Sequence, residues 1–361
     1  MMNNFNLDNV TIVIPTYKRY PFLKRLLKFY QGFPTPVKIL ILDSTPIESI
    51  DTELDQLVYR KNITWKRFST KMTYWTRIAK GLKFIKTDYV TLCPDDDFII
   101  PKAINKCINF LNNNSNYSSA HGLYFFHTTA DELRKSSFSI RPIYKGKLEN
   151  KDLSSDRVLE YLSGQLAYYP LYAVHRLNTF KLIWSETDKY VSDWNLHELF
   201  SSCLSLIYGK MKVLPIFYAS REPSYYNPNN YKIFKRTYSK NKVDKAILGV
   251  SKHLKIVEGG SNSKNKEFIS SAFNIYLSQL EKEYLKNPNV TISLWTHLRN
   301  TIALRTKIRK IFFQGCHKSI YPKYFDDYKK VKYSVISSDL TDEELNISRI
   351  DFKKQGDVSE I

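Results

Sequence analysis

"NVTIVIPTYKRYPFLKRLLKFYQ" (residues 9–31) decides how the chain is built. Its first half is β-branched and apolar, which reads as a buried strand broken by Pro15. Its second half places Phe22, Leu23, Leu26, Leu27 and Tyr30 at helical spacing, and Pro21 suits a first helical turn. A second buried strand, "VKILILD" (37–43), follows a turn marked by Gly32, Pro34 and Pro36. The alternation continues with a short strand "NITWKRF" (62–68), a helix over 74–86 and a strand "DYVTLC" (88–93). Crossovers of this length predict a mainly parallel, Rossmann-like sheet flanked by helices, an α/β fold. Ligands of such sheets sit beyond the carboxyl ends of the strands. Thr16, Asp43 and the run Asp95, Asp96, Asp97 all fall on that rim.

Further along, "PKAINKCINFLNNN" (101–114) predicts a helix and "HGLYFFHTT" (121–129) a strand. Residues 131–152 read as an irregular charged loop. "SSDRVLEYLSG" (154–164) opens a helix at a Ser/Asp cap, and "AYYPLYAVHR" (167–176) is aromatic and strand-like. A helix over 192–210 and a strand over 211–222 close this part. Beyond Pro223 a linker-like stretch leads to helices at 243–257, 266–286 and 290–314, separated by "EGGSNSKN" and "NPN". The expected division is an α/β domain over 1–222, a basic, mainly helical C-terminal region over 223–335 and a polar tail over 336–361.

The chain has 361 residues, enough for one large domain and a smaller one. Its hydrophobic content of 43% excludes a disordered protein. The formal charge of +20 is uneven, with 21 Lys and Arg against 7 Asp and Glu between residues 231 and 330. Such a region suits nucleic acid, anionic lipid or a polyanionic product, or is a solvated basic surface. No apolar run reaches the roughly 18–20 residues of a membrane span. The N-terminus reads as having no signal peptide, and Cys93, Cys107, Cys203 and Cys316 lack CxxC spacing. A cytoplasmic protein is expected.

In "TLCPDDDFIIP" (91–101) three carboxylates stand side by side, and like charges this close repel. A hard dication between them reverses the sign, and Mg²⁺ or Mn²⁺ shared with a diphosphate is the form such sites take. The bland alternative is a polar turn capping the helix that starts near Pro101. The second constellation is "YVSDWNLHELF" (190–200). Asp193 there is a helix N-cap or a general base for a sugar hydroxyl. His197 is a rival base or metal ligand against a structural contact, and Glu198 reads as surface.

Together these segments resemble the family 2 glycosyltransferases of GT-A fold, in a bacterial subgroup found with surface-polysaccharide synthesis. The resemblance covers roughly residues 9–222 and rests on "TIVIPTYKRYPFLKRLL", "ILILDSTP", Gly81-Leu82 ahead of "DYVTLCPDDDFIIP", then "HRLNTF" and "VSDWNLHELF", in the family's order. It implies that Thr16, Tyr17 and Arg19 border the nucleotide and that Asp43 binds base or ribose. It implies metal binding at Asp96, flanked by Asp97, with Asp95 and Arg77 on the nucleotide side, and Asp193 as catalytic base. Pro94, Ala79, Ser192 and Leu199-Phe200 stand where the family carries an aspartate, an asparagine, a glutamate and an arginine.

The resemblance further implies an inverting transfer from a nucleotide sugar, UDP-linked by expectation, to a glycan or lipid-linked acceptor, with Mn²⁺ or Mg²⁺. Arg221 is a candidate for added charge at the diphosphate, or a surface ion pair. Tyr168, Tyr169 and Tyr172 are candidates for stacking on acceptor sugars, or core. The helix "LWTHLRNTIALRTKIRKIFF" (294–313) has the basic amphipathic character of a peripheral membrane contact, or packs on the rest of the chain. A nucleotidyltransferase would carry a Gly-rich loop after the first strand, and "PTYKRYPF" has no Gly. A nucleic-acid-binding protein is the rival from another class, and no motif for it is present.

Overall fold

Strand β1 (Val10–Thr16) is buried at every position, as its apolar run requires of a strand covered on both faces. A computed structural model describes residues 7–46, 51–126, 141–142, 151–164, 169–221 and 235–286. Helix α1 (Tyr20–Gln31) has Pro21 in its first turn and buries Phe22, Leu23, Leu26, Leu27 and Tyr30, the residues its spacing picks out. Then come β2 (Lys38–Asp43), α2 (Thr52–Val58), β3 (Ile63–Arg67) and α3 (Tyr74–Gly81). Gly81 lies against Leu42, so closely that a Cβ there would fall 2.5 Å from that side chain. β4 (Tyr89–Leu92) and β5 (Phe98–Ile99) bracket the aspartate run.

The remaining elements are α4 (Pro101–Asn112), β6 (Tyr117–Phe126), β7 (Arg141–Pro142), α5 (Ser154–Leu162), β8 (Val174–Arg176), α6 (Leu177–Tyr190), α7 (Trp194–Ile207), β9 (Lys210–Arg221), α8 (Lys240–Glu258) and α9 (Asn262–Lys286). The sheet runs β3-β2-β1-β4-β8-β6-β9-β5, with β7 paired to β6. β3, β2, β1 and β4 are parallel. β8 enters antiparallel between β4 and β6, and β9 returns parallel to β6. β1, β2, β3, β4, β6 and β9 therefore point the same way, and their carboxyl ends make one rim. β5 pairs antiparallel with the end of β9, Phe98 opposite Ser220, which brings Asp97 beside Arg221.

Several elements depart from the sequence expectation. β6 begins at Tyr117 rather than near residue 121. The continuous strand expected over 167–176 is a 3-10 turn (Pro170–Tyr172) and the three-residue β8. α2, β5 and α6 were not expected. Tyr168, most of the 131–152 loop, the 290–314 helix and the 336–361 tail lie outside the described residues.

Two apolar cores result. The first joins the parallel strands to α1, α3 and α4. The second joins Val158, Leu199, Phe200 and Leu204 of α5 and α7 to Val243, Ala246, Val250, Ile269 and Phe273 of α8 and α9. The C-terminal helices thus share a core with the helices that follow the sheet.

Candidate active site

The three aspartates are held apart by arginines. Arg19, just before α1, pairs with Asp95 at 2.9 Å and with Asp96 at 2.6 Å. Thr16, the last residue of β1, donates its hydroxyl to the second oxygen of Asp95 at 2.7 Å. Arg25, one turn further along α1, donates to the Asp96 carbonyl at 3.0 Å. Arg221, the last residue of β9, pairs with Asp97 at 3.0 Å and lies over the rings of Tyr169 and Tyr172. Asp95 and Asp97 are buried, and Asp96 alone keeps an appreciable exposure, 28% of its side chain. Burial and the charge of Asp96 push Asp95 up to about 6, against the opposing pull of Arg19 and the Thr16 hydroxyl.

The loop after β1 carries local strain. Lys18 has φ 52°, in the left-handed region that non-glycine residues rarely occupy, and its N–H donates to the Thr45 hydroxyl at 2.8 Å. Tyr17 beside it is half-buried. Asp43, ending β2, is fully buried and accepts from the Tyr20 hydroxyl (2.8 Å), the Thr45 N–H (2.7 Å) and the Trp65 indole (3.2 Å). Arg77 of α3 reaches under the rim and donates to the Thr16 carbonyl at 2.8 Å and the Ser44 hydroxyl at 2.5 Å. Its Nε and Nη2 are buried with no hydrogen-bond partner among the described residues. Burial pushes Arg77 down to about 10, so it stays cationic at neutral pH.

Asp193 stands at the start of α7, where its carbonyl accepts from the His197 N–H at 3.3 Å. Its carboxylate is buried and pairs with Lys242 of α8 at 3.0 Å. The aspartate rim and the start of α7 meet across Tyr74, whose ring is edge-on to Trp194 at 4.7 Å and lies under the Arg77 guanidinium at 5.8 Å. His197 sits among Tyr74, Trp75, Trp184 and Trp194. Its Nδ1 donates to the Trp194 carbonyl, and burial pushes it down to about 4. It is neutral at pH 7 and packed in an aromatic cluster. Glu198, expected at the surface, is half-buried, raised by burial and acted on by the Arg221 charge.

The site therefore gathers Thr16, Arg19, Asp43, Arg77, Asp95, Asp96 and Asp97 on one rim, with Tyr17 in the loop beside them. Asp193 stands across Tyr74. Arg25, Tyr74, Glu198 and Lys242 have no signal in the local sequence, since each is brought in by packing between distant segments. Among the described residues no three His, Cys, Asp or Glu side chains form a ready metal site. All three aspartates already pair with arginine, and only Asp96 keeps an appreciable exposure, so the donor set fits a dication only through Asp96, with a bound phosphate group supplying further oxygens.

The fold is therefore an α/β one, a mostly parallel sheet whose carboxyl-end rim is acidic and lined with arginine. Residues 11–169, a little under half of the chain, match the model described as Glycosyl transferase family 2, and the α/β sheet with its flanking helices is consistent with the GT-A fold. Among solved structures it is similar to S. aureus TarS 1-349, at TM-score 0.51 and 9% identity, covering 96% of this chain and 91% of that one. The crystal structure of TarS 1-349 in complex with UDP gives the same values. Against the longer S. aureus TarS chain the TM-score is 0.49 at 10% identity, covering 75% of this chain, which spans 44% of that chain's length. At these identities the likeness concerns the fold. No curated protein sequence matches the chain.

Proposed function

We propose that the chain transfers a sugar, with inversion, from a UDP-linked donor to a glycan or lipid-linked acceptor of a bacterial surface polymer. The carrying observation is the rim itself. It joins the partly exposed Asp96 to Arg19, Arg25 and the orphaned guanidinium edge of Arg77, a setting for a charged diphosphate. Tyr17 and Asp43 stand at the strand ends where the nucleoside would lie. A chain of the same fold has been crystallised with UDP, which makes UDP the first nucleotide to test.

In this reading Asp193 takes the proton of an acceptor hydroxyl, and that oxygen attacks the anomeric carbon. The bond from that carbon to the diphosphate breaks, and its electron pair leaves with UDP. Arg19 and Arg77 hold positive charge where the leaving group gains negative charge. Asp96, with Asp97 beside it, would hold a Mg²⁺ or Mn²⁺, which would supply Lewis-acid neutralisation of the diphosphate. Tyr169, partly buried, offers a ring face for the acceptor, whereas Tyr172 is buried in the core. Among the described residues no helix is long and apolar enough to cross a membrane. Access to a lipid-linked acceptor would come through peripheral contact of the basic C-terminal segment at the cytoplasmic face.

Calorimetry of UDP with Mn²⁺, beside GDP and CMP, tests the donor site. UDP should bind wild type and fail to bind Asp96→Ala. Asp193→Asn should keep UDP binding and lose transfer by roughly 100-fold or more, the scale of a missing general base. Equal binding of all three nucleotides, or of none, overturns the reading.

A further inference from the structure

The C-terminal helix α8 lies beyond the segment that matches the family, yet it reaches the base. Lys242 Nζ stands 3.0 Å from Asp193 Oδ2. Exposed ion pairs of this kind are weak and loosely held. This one differs, because Asp193 is only 6% exposed and α8 is fixed against α7 along its length. Gly249 lies against Phe200 and Tyr190, where an added Cβ would fall 2.7 Å from each ring. His253 then receives the Tyr208 hydroxyl at 2.5 Å and pairs with Glu186 at 2.9 Å. Residues 242, 249 and 253 of α8 thus meet residues 193, 200 and 208 in the same order. The two helices run side by side in parallel, and Lys242 arrives at Asp193 by the register of that packing.

We infer that Lys242 is a positioning residue for Asp193, so that α8 completes the active site. This rests on the reading of Asp193 as the base. The ammonium of Lys242 lies against Oδ2 of the buried carboxylate, and that contact fixes its rotation. Misplacement of a catalytic group by about 1 Å is enough to lower a rate by up to ~100-fold.

The test uses the full chain with UDP-GlcNAc as probe, reading UDP release and, separately, UDP affinity by calorimetry. Lys242→Met keeps the stem and removes the charge. It should lower kcat by roughly 10- to 100-fold while the UDP affinity and the donor KM stay within about twofold. Lys242→Arg should recover most of the rate. Wild-type turnover in Lys242→Met, beside an inactive Asp193→Asn, overturns the inference and leaves the base assignment standing. Loss of UDP binding together with rate in Lys242→Met also overturns it, since the residue would then be structural. Failure of the wild-type chain both to bind UDP and to release it from UDP-GlcNAc is a different result. It overturns the proposed function, and the inference falls with it.

Discussion

Three adjacent carboxylates in a buried turn are stable only if opposite charge is brought to them. Here it comes from Arg19 and Arg221 before any ligand is considered. Arg19 gives the sharper test, because both it and Asp95 are buried whereas Arg221 keeps 22% of its side chain exposed. Its guanidinium also lies 4.3 Å from the Phe22 ring centre, which fixes its plane. Arg19→Met should cost about 3–5 kcal/mol in chemical denaturation, the scale for breaking a buried pair by removing one partner. Adding Asp95→Asn should restore part of that loss, since the uncompensated charge goes with it. A cost below ~1 kcal/mol for Arg19→Met would mean that water reaches Asp95 after all. At this scale the sequence was informative where chain order fixes position. Thr16, Asp43 and the aspartates are strand ends, so their rim follows from the βα alternation. Arg221 is a strand end too and is a candidate on the same ground, whereas Lys242 and Glu198 approach from distant segments, and no local pattern encodes which way they face.

At the scale of elements, helices with a clear apolar stripe and a Pro or Gly at one end were legible, α1 to the residue. The missed elements share a different property. α6 buries Leu177, Phe180, Ile183, Trp184 and Thr187 at helical spacing, but it follows β8 with no side-chain cap and no Gly or Pro to mark its start. β5 has two residues and exists because β9 is there to pair with it. Packing between elements is less legible still, and the seam of α7 and α8 depends on it. Gly249→Ala isolates that seam. Helix propensity alone would favour the alanine by about 1 kcal/mol. The Cβ would collide with Phe200 and Tyr190, which overpacks the seam at a typical cost of 1–3 kcal/mol. The variant should therefore melt lower than wild type, and its transfer rate should fall because Lys242 moves with the helix. A higher melting temperature would show that the two helices separate easily.

Across the whole molecule, buried titratable groups set the response to acid. His121, His175 and His197 are each buried and each pushed down to about 4. The geometry gives the reason for two of them. His121 donates from Nδ1 to the Gly122 carbonyl and accepts the Tyr169 N–H at Nε2, so both nitrogens are engaged in the neutral form. His175 donates to the Pro170 carbonyl, and its buried Nδ1 has no partner among the described residues to take a proton's hydrogen bond. Above the ordinary histidine range neither folded nor unfolded chain is protonated at these sites, and they contribute nothing. Between about 6.5 and 4 the unfolded chain takes up protons that the folded one refuses, so stability falls as pH falls, by roughly 2–3 kcal/mol per histidine. Asp95, raised to about 6, acts the other way, because the folded chain takes its proton first and gains stability over the same window. Three histidines outweigh one aspartate, which returns roughly 2 kcal/mol, and the expected net loss from pH 7 to pH 4.5 is about 4–7 kcal/mol. Denaturant titrations at both pH values measure it. His175→Gln, which keeps a donor for the Pro170 carbonyl and removes the titration, should shrink the difference by roughly 2–3 kcal/mol. An unchanged difference would mean that these histidines titrate alike in folded and unfolded chains. The same protonation at His121 would break its bond to the Tyr169 N–H, so acid should loosen the tyrosine wall beside Arg221 before the sheet unfolds.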